Sequence, residues 1–227
     1  MTSTPAASIE QKLPMRAEEA IEIALLLAFC GGYFDAYTWV IHGVMANTQT
    51  ANLVLLWVQG AEGNWGRAVH FLLPMIAFVL GVVTAALVRR TFSERASIVT
   101  TLINIVLLIM VQLIHIRHQS LANVFGIAFV AAMQASVFTV VEGATYTSIM
   151  VTGNLRLAIE GAIGVVSGRR EMLRRFQIFT ALCVAFGLGA AVGALLAKNL
   201  PYVALGTPII AMLVILRLLQ RSANPAA

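Results

Sequence analysis

The chain has 227 residues, 59% hydrophobic and 11% charged, with a mean hydropathy of +0.87; ordinary soluble domains carry roughly 25% charged residues, so a water-soluble enzyme or binding domain is excluded in favour of a lipid-embedded chain. The net charge of +5 and pI near 9.8 do not point to nucleic acid, because a basic reading face needs an aqueous domain to display it. Near-unbroken apolar runs such as Phe71 to Leu87 and Leu102 to Met110 exclude the alternating strands of a membrane β-barrel.

Residues 1–19 read as a polar cytoplasmic tail. They do not form a cleaved signal, since Glu18, Glu19 and Glu22 occupy the place of a positive n-region and the following apolar run is too long. Leu27-Ala28-Phe29-Cys30 fails as a lipoprotein site because bulky Phe29 precedes the cysteine. About 20 apolar residues cross a hydrocarbon core of roughly 30 Å, and six stretches meet that length: 21–45, 68–88, 97–115, 121–142, 177–197 and 202–220. The expected fold is all-α, a polytopic bundle of six transmembrane helices.

Cytoplasmic loops hold the excess of Lys and Arg. With the N-terminus inside, only Arg67, Arg117 and Lys198 of the 15 basic residues fall outside, which places both termini in the cytoplasm.

The first and fourth spans carry polar residues. A charge at the bilayer centre costs roughly 2.5 to 3.5 kcal/mol on insertion scales, so Asp35 and Glu142 are expected to face inward. Asp35, Thr38 and His42 step by helical spacing along one face. Gln134 and Glu142 share a broad stripe about two turns apart. These groups line a substrate path, or Asp35 and Gln134 pair across the bundle as interhelical glue; position on a face does not separate the two.

After each of these spans the chain repeats itself. Thr50-Ala51-Asn52-Leu53 recurs roughly a hundred residues on as Thr152-Gly153-Asn154-Leu155, the trace of a duplicated unit. Thr and Asn are favoured N-caps, so Thr50, Asn52, Thr152 and Asn154 are expected to cap short helices that follow, either re-entrant, with their positive ends aimed inward, or lying in the interface. Phe78-Val79-Leu80-Gly81 likewise matches Phe186-Gly187-Leu188-Gly189. Two repeats result, 20–118 and 119–221, followed by a tail at 222–227. Each holds three spans, an odd number, so the second copy is expected upside down relative to the first, as in transporters built from inverted repeats.

Other signals are weak. Gly187, Gly189 and Gly193 with neighbouring alanines read as close helix packing. Cys30 and Cys183 lie in different spans and behave as small hydrophobes. His115 and His118 lack the company of a metal site, no hydrolase elbow, phosphate loop or dinucleotide fingerprint appears, and neither cofactor nor enzyme activity is indicated.

Gly32 to Asp35 and Val151-Thr152-Gly153-Asn154-Leu155 give the chain a resemblance to the YoaK-like family of bacterial inner-membrane proteins, a domain of unknown function, over roughly Glu19 to Arg221. The resemblance implies a six-helix membrane protein. The first copy departs at Ala51, where the family has glycine, so close backbone approach is expected at Gly153. From the residues themselves the expected function is a secondary transporter or exporter of a small polar or anionic metabolite through Asp35, Thr38, His42, Thr50, Asn52, Gln134, Glu142, Thr152, Gly153 and Asn154. A passive channel and a non-transporting assembly partner are the alternatives. The expected partners are the bilayer and a small solute or ion, with no nucleic acid; a homo-oligomer is left open.

Overall fold

In hydrocarbon every backbone N–H and C=O must be paired within its own segment or by a closed barrel, and runs of this apolarity without strand alternation meet that demand as helices. The computed structural model describes residues 16–117 and 121–223, so the expectations for most of the N-terminal tail, for His118 and for the last four residues lie outside the described residues. In chain order the elements are α1 (Ile21–His42), α2 (Gln49–Ala61), α3 (Trp65–His70), α4 (Leu72–Phe92), α5 (Ala96–Arg117), α6 (Leu121–Val137), β1 (Val140–Val141), β2 (Ala144–Thr145), α7 (Val151–Val166), α8 (Met172–Asn199) and α9 (Gly206–Ala223). By length and composition α1, α8 and the α3 to α5 stretch are apolar enough to cross a membrane, while α6 is shorter. Broad apolar faces on α4 (Ile76, Val79, Val83, Leu87) and α5 (Leu102, Val106, Met110, Leu113) are left exposed by the packing. Continuous apolar surface of that kind suits lipid contact.

Two expected spans end early. The first stops at His42 because Gly43 adopts the left-handed conformation (φ 69°) and returns its N–H to the Trp39 carbonyl at 2.9 Å, a glycine C-cap. The fourth stops at Val137, and Glu142-Gly143 then forms the tip of a hairpin between β1 and β2, with φ of 46° and 78°. Two consecutive positive φ values make the mirror-image turn that matches strand twist. Glu142 therefore lies outside any helix, and the stripe it was expected to share with Gln134 does not exist.

The bundle is held by backbones in close approach. On α1 and α8, a Cβ on Gly32 would run into the Phe186 carbonyl, one on Gly189 into the Phe29 carbonyl, and one on Gly193 would reach the Tyr33 carbonyl at 2.7 Å. Between α4 and α6 a Cβ on Gly81 would lie 2.7 Å from both the Phe129 carbonyl and the Ala132 methyl. The expectation of close packing in the fifth span is met at Gly189 and Gly193, whereas an added Cβ on Gly187 meets nothing within 4 Å.

Helix direction follows from what meets at one end. The Glu142 N–H donates to the Glu19 carbonyl at 2.9 Å, joining the chain beyond α6 to the start of α1. Arg16, Arg89, Glu94 and Val137 line one small cleft there, and Leu219 and Ser222 join Arg16 at another. The Arg174 side chain at the start of α8 pairs with Glu142. Thus α1, α5 and α8 begin at the end of the molecule where α4, α6 and α9 finish.

Candidate functional site

The middle of α1 is where both connections after the polar helices come to rest. Beyond Gly43 the chain turns back along α1. Ala46 N–H donates to the Thr38 hydroxyl at 3.0 Å, Asn47 N–H to Asp35 Oδ1 at 2.7 Å, the Thr48 hydroxyl to Asp35 Oδ2 at 2.7 Å, and Asn47 Nδ2 to the Gly31 carbonyl at 2.6 Å. Gly31 lies near the centre of the 22-residue α1, so α2 starts there rather than at the helix end. The second connection arrives at the same place: a Cβ on Gly31 would collide with the Ser148 carbonyl. Gln134 Nε2 donates to the Leu27 carbonyl at 2.9 Å and to Ser148 Oγ at 2.8 Å. Asp35 and Gln134 do not pair with each other; each ties down the loop of its own half.

Each connection is closed by an asparagine. Asn52 Nδ2 donates to the Met45 carbonyl at 2.6 Å and its Oδ1 accepts the Met45 N–H at 3.3 Å. Asn154 does the same to Thr147, at 2.7 Å and 3.4 Å. One amide side chain thus satisfies both backbone polar groups of one loop residue, which a buried loop cannot leave unpaired. The N-cap residues, just before each helix, are Thr48 and Met150, neither with a side-chain cap. The expected caps at Thr50, Asn52, Thr152 and Asn154 are therefore displaced inward, because the asparagines reach back to the loop instead of accepting first-turn amides.

From this centre the two helices leave in opposite directions. Past α2, Trp65 packs on Gly60 and α3 brings His70 Nε2 to 3.2 Å from the carbonyl of His42, the last residue of α1. α7 runs against the first turns of α8, with Gly161 at the Phe176 backbone and Gly164 at Met172. Between the two starts lies an open cleft of about 410 Å³ lined by Gly32, Asp35, Met45, Thr48, Met150 and Thr152, with Phe186 and Ala190 of α8 as one wall. Helix N-termini carry partial positive charge and amides without intrahelical partners; here two of them flank one carboxylate.

The structure brings together only part of the expected set. Asp35 and Thr152 line the cleft. Thr38 is buried and spent on the loop, donating to the Phe34 carbonyl at 2.8 Å. His42 is at the far end of α1 and Thr50 is exposed on α2. Asn52, Gln134 and Asn154 are buried as ties. Glu142 is in the hairpin, where Arg174 Nε donates to its Oε2 at 2.9 Å. Gly153 is exposed, and an added Cβ meets nothing within 4 Å, so the close approach expected there is absent. Gly31, Asn47, Thr48 and Ser148 were missed. The Asn47-Thr48 pair, two good turn-formers ahead of Thr50, was the available signal for an earlier helix start.

A family model described as "Protein of unknown function (DUF1275)" matches residues 23–218, consistent with the resemblance to the YoaK-like proteins. No curated protein and no solved structure matches the chain.

Proposed function

The chain belongs to the DUF1275 family, a domain of unknown function, and on that premise we propose that it is a secondary transporter or exporter of a small polar or anionic solute, multi-pass in the bacterial inner membrane with both termini in the cytoplasm. The observation that carries this reading is the cleft at which α2 and α7 begin from opposite sides, beside Asp35. Helix starts at the middle of a membrane bundle present amides to a solute, and irregular backbone at that depth is tolerated where it lines a cavity. The two halves are read as inverted three-helix copies. In support, Gly81 of the first half meets the Phe129 carbonyl of the second while Gly189 of the second meets the Phe29 carbonyl of the first, and Asn52 and Asn154 each bond the N–H and C=O of the residue seven positions earlier. Such copies offer two near-equivalent packings, one open to each side.

The test is flux. Purified protein in proteoliposomes is expected to take up labelled phosphate or a small carboxylate faster than protein-free liposomes, and Thr152→Trp, which fills the cleft, is expected to remove the difference. Uptake unaffected by Thr152→Trp, or no uptake of any of these solutes, contradicts the reading. One observation favours a passive channel instead: both Asp35 oxygens are held by the α2 connection, which describes a fixed lining rather than a moving gate. Currents too large for a carrier turnover in planar bilayers would identify that case.

A further inference from the structure

A second cleft, of about 590 Å³, lies on the other side of the α7 start, walled by the hairpin residues Gly143 to Thr147 and by Gly153, Asn154, Arg156 and Arg175. Its polar groups are unbalanced. Arg156 and Arg175 share a single carboxylate, Glu160, at 3.4 Å and 4.0 Å. The other nearby acid, Glu142, is engaged by Arg174. Two guanidinium groups therefore face the cleft with one negative charge between them. The Arg175 head is steadied over the Phe179 ring at 5.9 Å, yet its Nε–H is buried without a partner among the described residues. Tyr146 also lines the cleft; it is 4% exposed, and its hydroxyl likewise has no partner among the described residues. A buried hydroxyl left unbonded costs free energy, and so does a buried guanidinium N–H. The floor is Gly153, in the first turn of α7, where amides lack intrahelical acceptors and no side chain fills the space.

We propose that this cleft binds an oxyanion, a phosphate or phosphate-like group held by Arg156 and Arg175 with Tyr146 as a hydrogen-bond donor. Guanidinium forks match tetrahedral oxyanions bidentately, and the helix start adds positive potential. The oxyanion has two sources. A free solute enters from the aqueous side, and a phospholipid headgroup arrives from the bilayer along the exposed apolar face of α7, Leu155, Ile159 and Ile163. Binding here is independent of the transport reading, since it is measured without flux.

The experiment uses the full chain in nanodiscs, with thermal unfolding as the readout. In phosphatidylcholine discs, inorganic phosphate is compared with chloride at equal ionic strength; in a second arm phosphatidylglycerol replaces part of the lipid with no phosphate added. A higher unfolding midpoint in the phosphate arm assigns a soluble anion, and in the phosphatidylglycerol arm alone a headgroup. Either result supports the site when the Arg156→Gln, Arg175→Gln double variant raises the half-effect concentration, of phosphate or of phosphatidylglycerol, by about tenfold or more, the scale of losing a charge-assisted hydrogen bond, while Arg217→Gln does not. Tyr146→Phe, a conservative change, is expected to weaken the effect in the same arm, which keeps the test decisive if the double variant folds poorly. No midpoint change with either anion, or a change undiminished in both the double variant and Tyr146→Phe, overturns the proposal.

Discussion

Asn52 and Asn154 are the side chains on which the two loops depend, since each satisfies the backbone N–H and C=O of the residue seven positions earlier. Replacing either with alanine leaves those two backbone groups without that partner, a loss of about 1 to 3 kcal/mol each. Chemical denaturation in detergent is expected to show similar costs for Asn52→Ala and Asn154→Ala, and unchanged stability in both would refute the clasp. Asp35 offers a sharper contrast. As a tie for Asn47 and Thr48 it is expected to lose stability on Asp35→Ala and less on Asp35→Asn, which keeps an acceptor for Asn47. As a proton carrier it would instead lose the pH dependence of uptake in Asp35→Asn with stability intact. Glu142→Gln is expected to leave the unfolding midpoint where it is, because the Arg174 pair lies at the surface and exposed pairs contribute little. That these residues matter was legible from their polarity inside apolar runs. What each one bonds was not, because helical spacing assigns a face and says nothing of a loop folding back onto it.

At the scale of helices, close approach decides which glycines are irreplaceable. Gly32→Ala or Gly189→Ala must push α1 and α8 apart, since each new methyl meets a carbonyl; overpacking of this kind costs about 1 to 3 kcal/mol. Gly153→Ala meets open space within α7 and is expected to stabilise the helix by up to about 1 kcal/mol. Unfolding of the three variants under one condition checks the ranking, and a destabilised Gly153→Ala would show a contact the structure lacks. The small-residue run Gly187 to Ala194 made the packing of α8 legible in the sequence. Its partner was not, because any apolar helix could receive it. The end of α6 was misplaced for a related reason: Phe138 to Val141 is as apolar as the helix before it, and only the Glu142-Gly143 turn marks the change.

Over the whole molecule, hydropathy located the long apolar helices and the repeated Thr-x-Asn-Leu located the two short ones, to within a few residues. It left open whether the short helices lie in the interface or enter the bundle, because their exposed apolar faces (Trp57 and Val58 on α2, Ile159 and Ile163 on α7) suit either course. The loop contacts with Gly31 carry both starts to the centre of α1, and the transport reading depends on that placement. Its direct test is single-cysteine labelling in proteoliposomes, with Cys30 and Cys183 replaced by serine and cysteine introduced at Thr48, just before α2, or at Thr152 in the first turn of α7, both of which line the cleft. Water-borne, membrane-impermeant maleimide is expected to modify both positions, more slowly than a cysteine at exposed Asn64, and modification at Thr152 is expected to reduce labelling at Thr48 when both are present. Two positions that stay unmodified while Asn64→Cys reacts would contradict a water-reachable centre shared by the two helix starts.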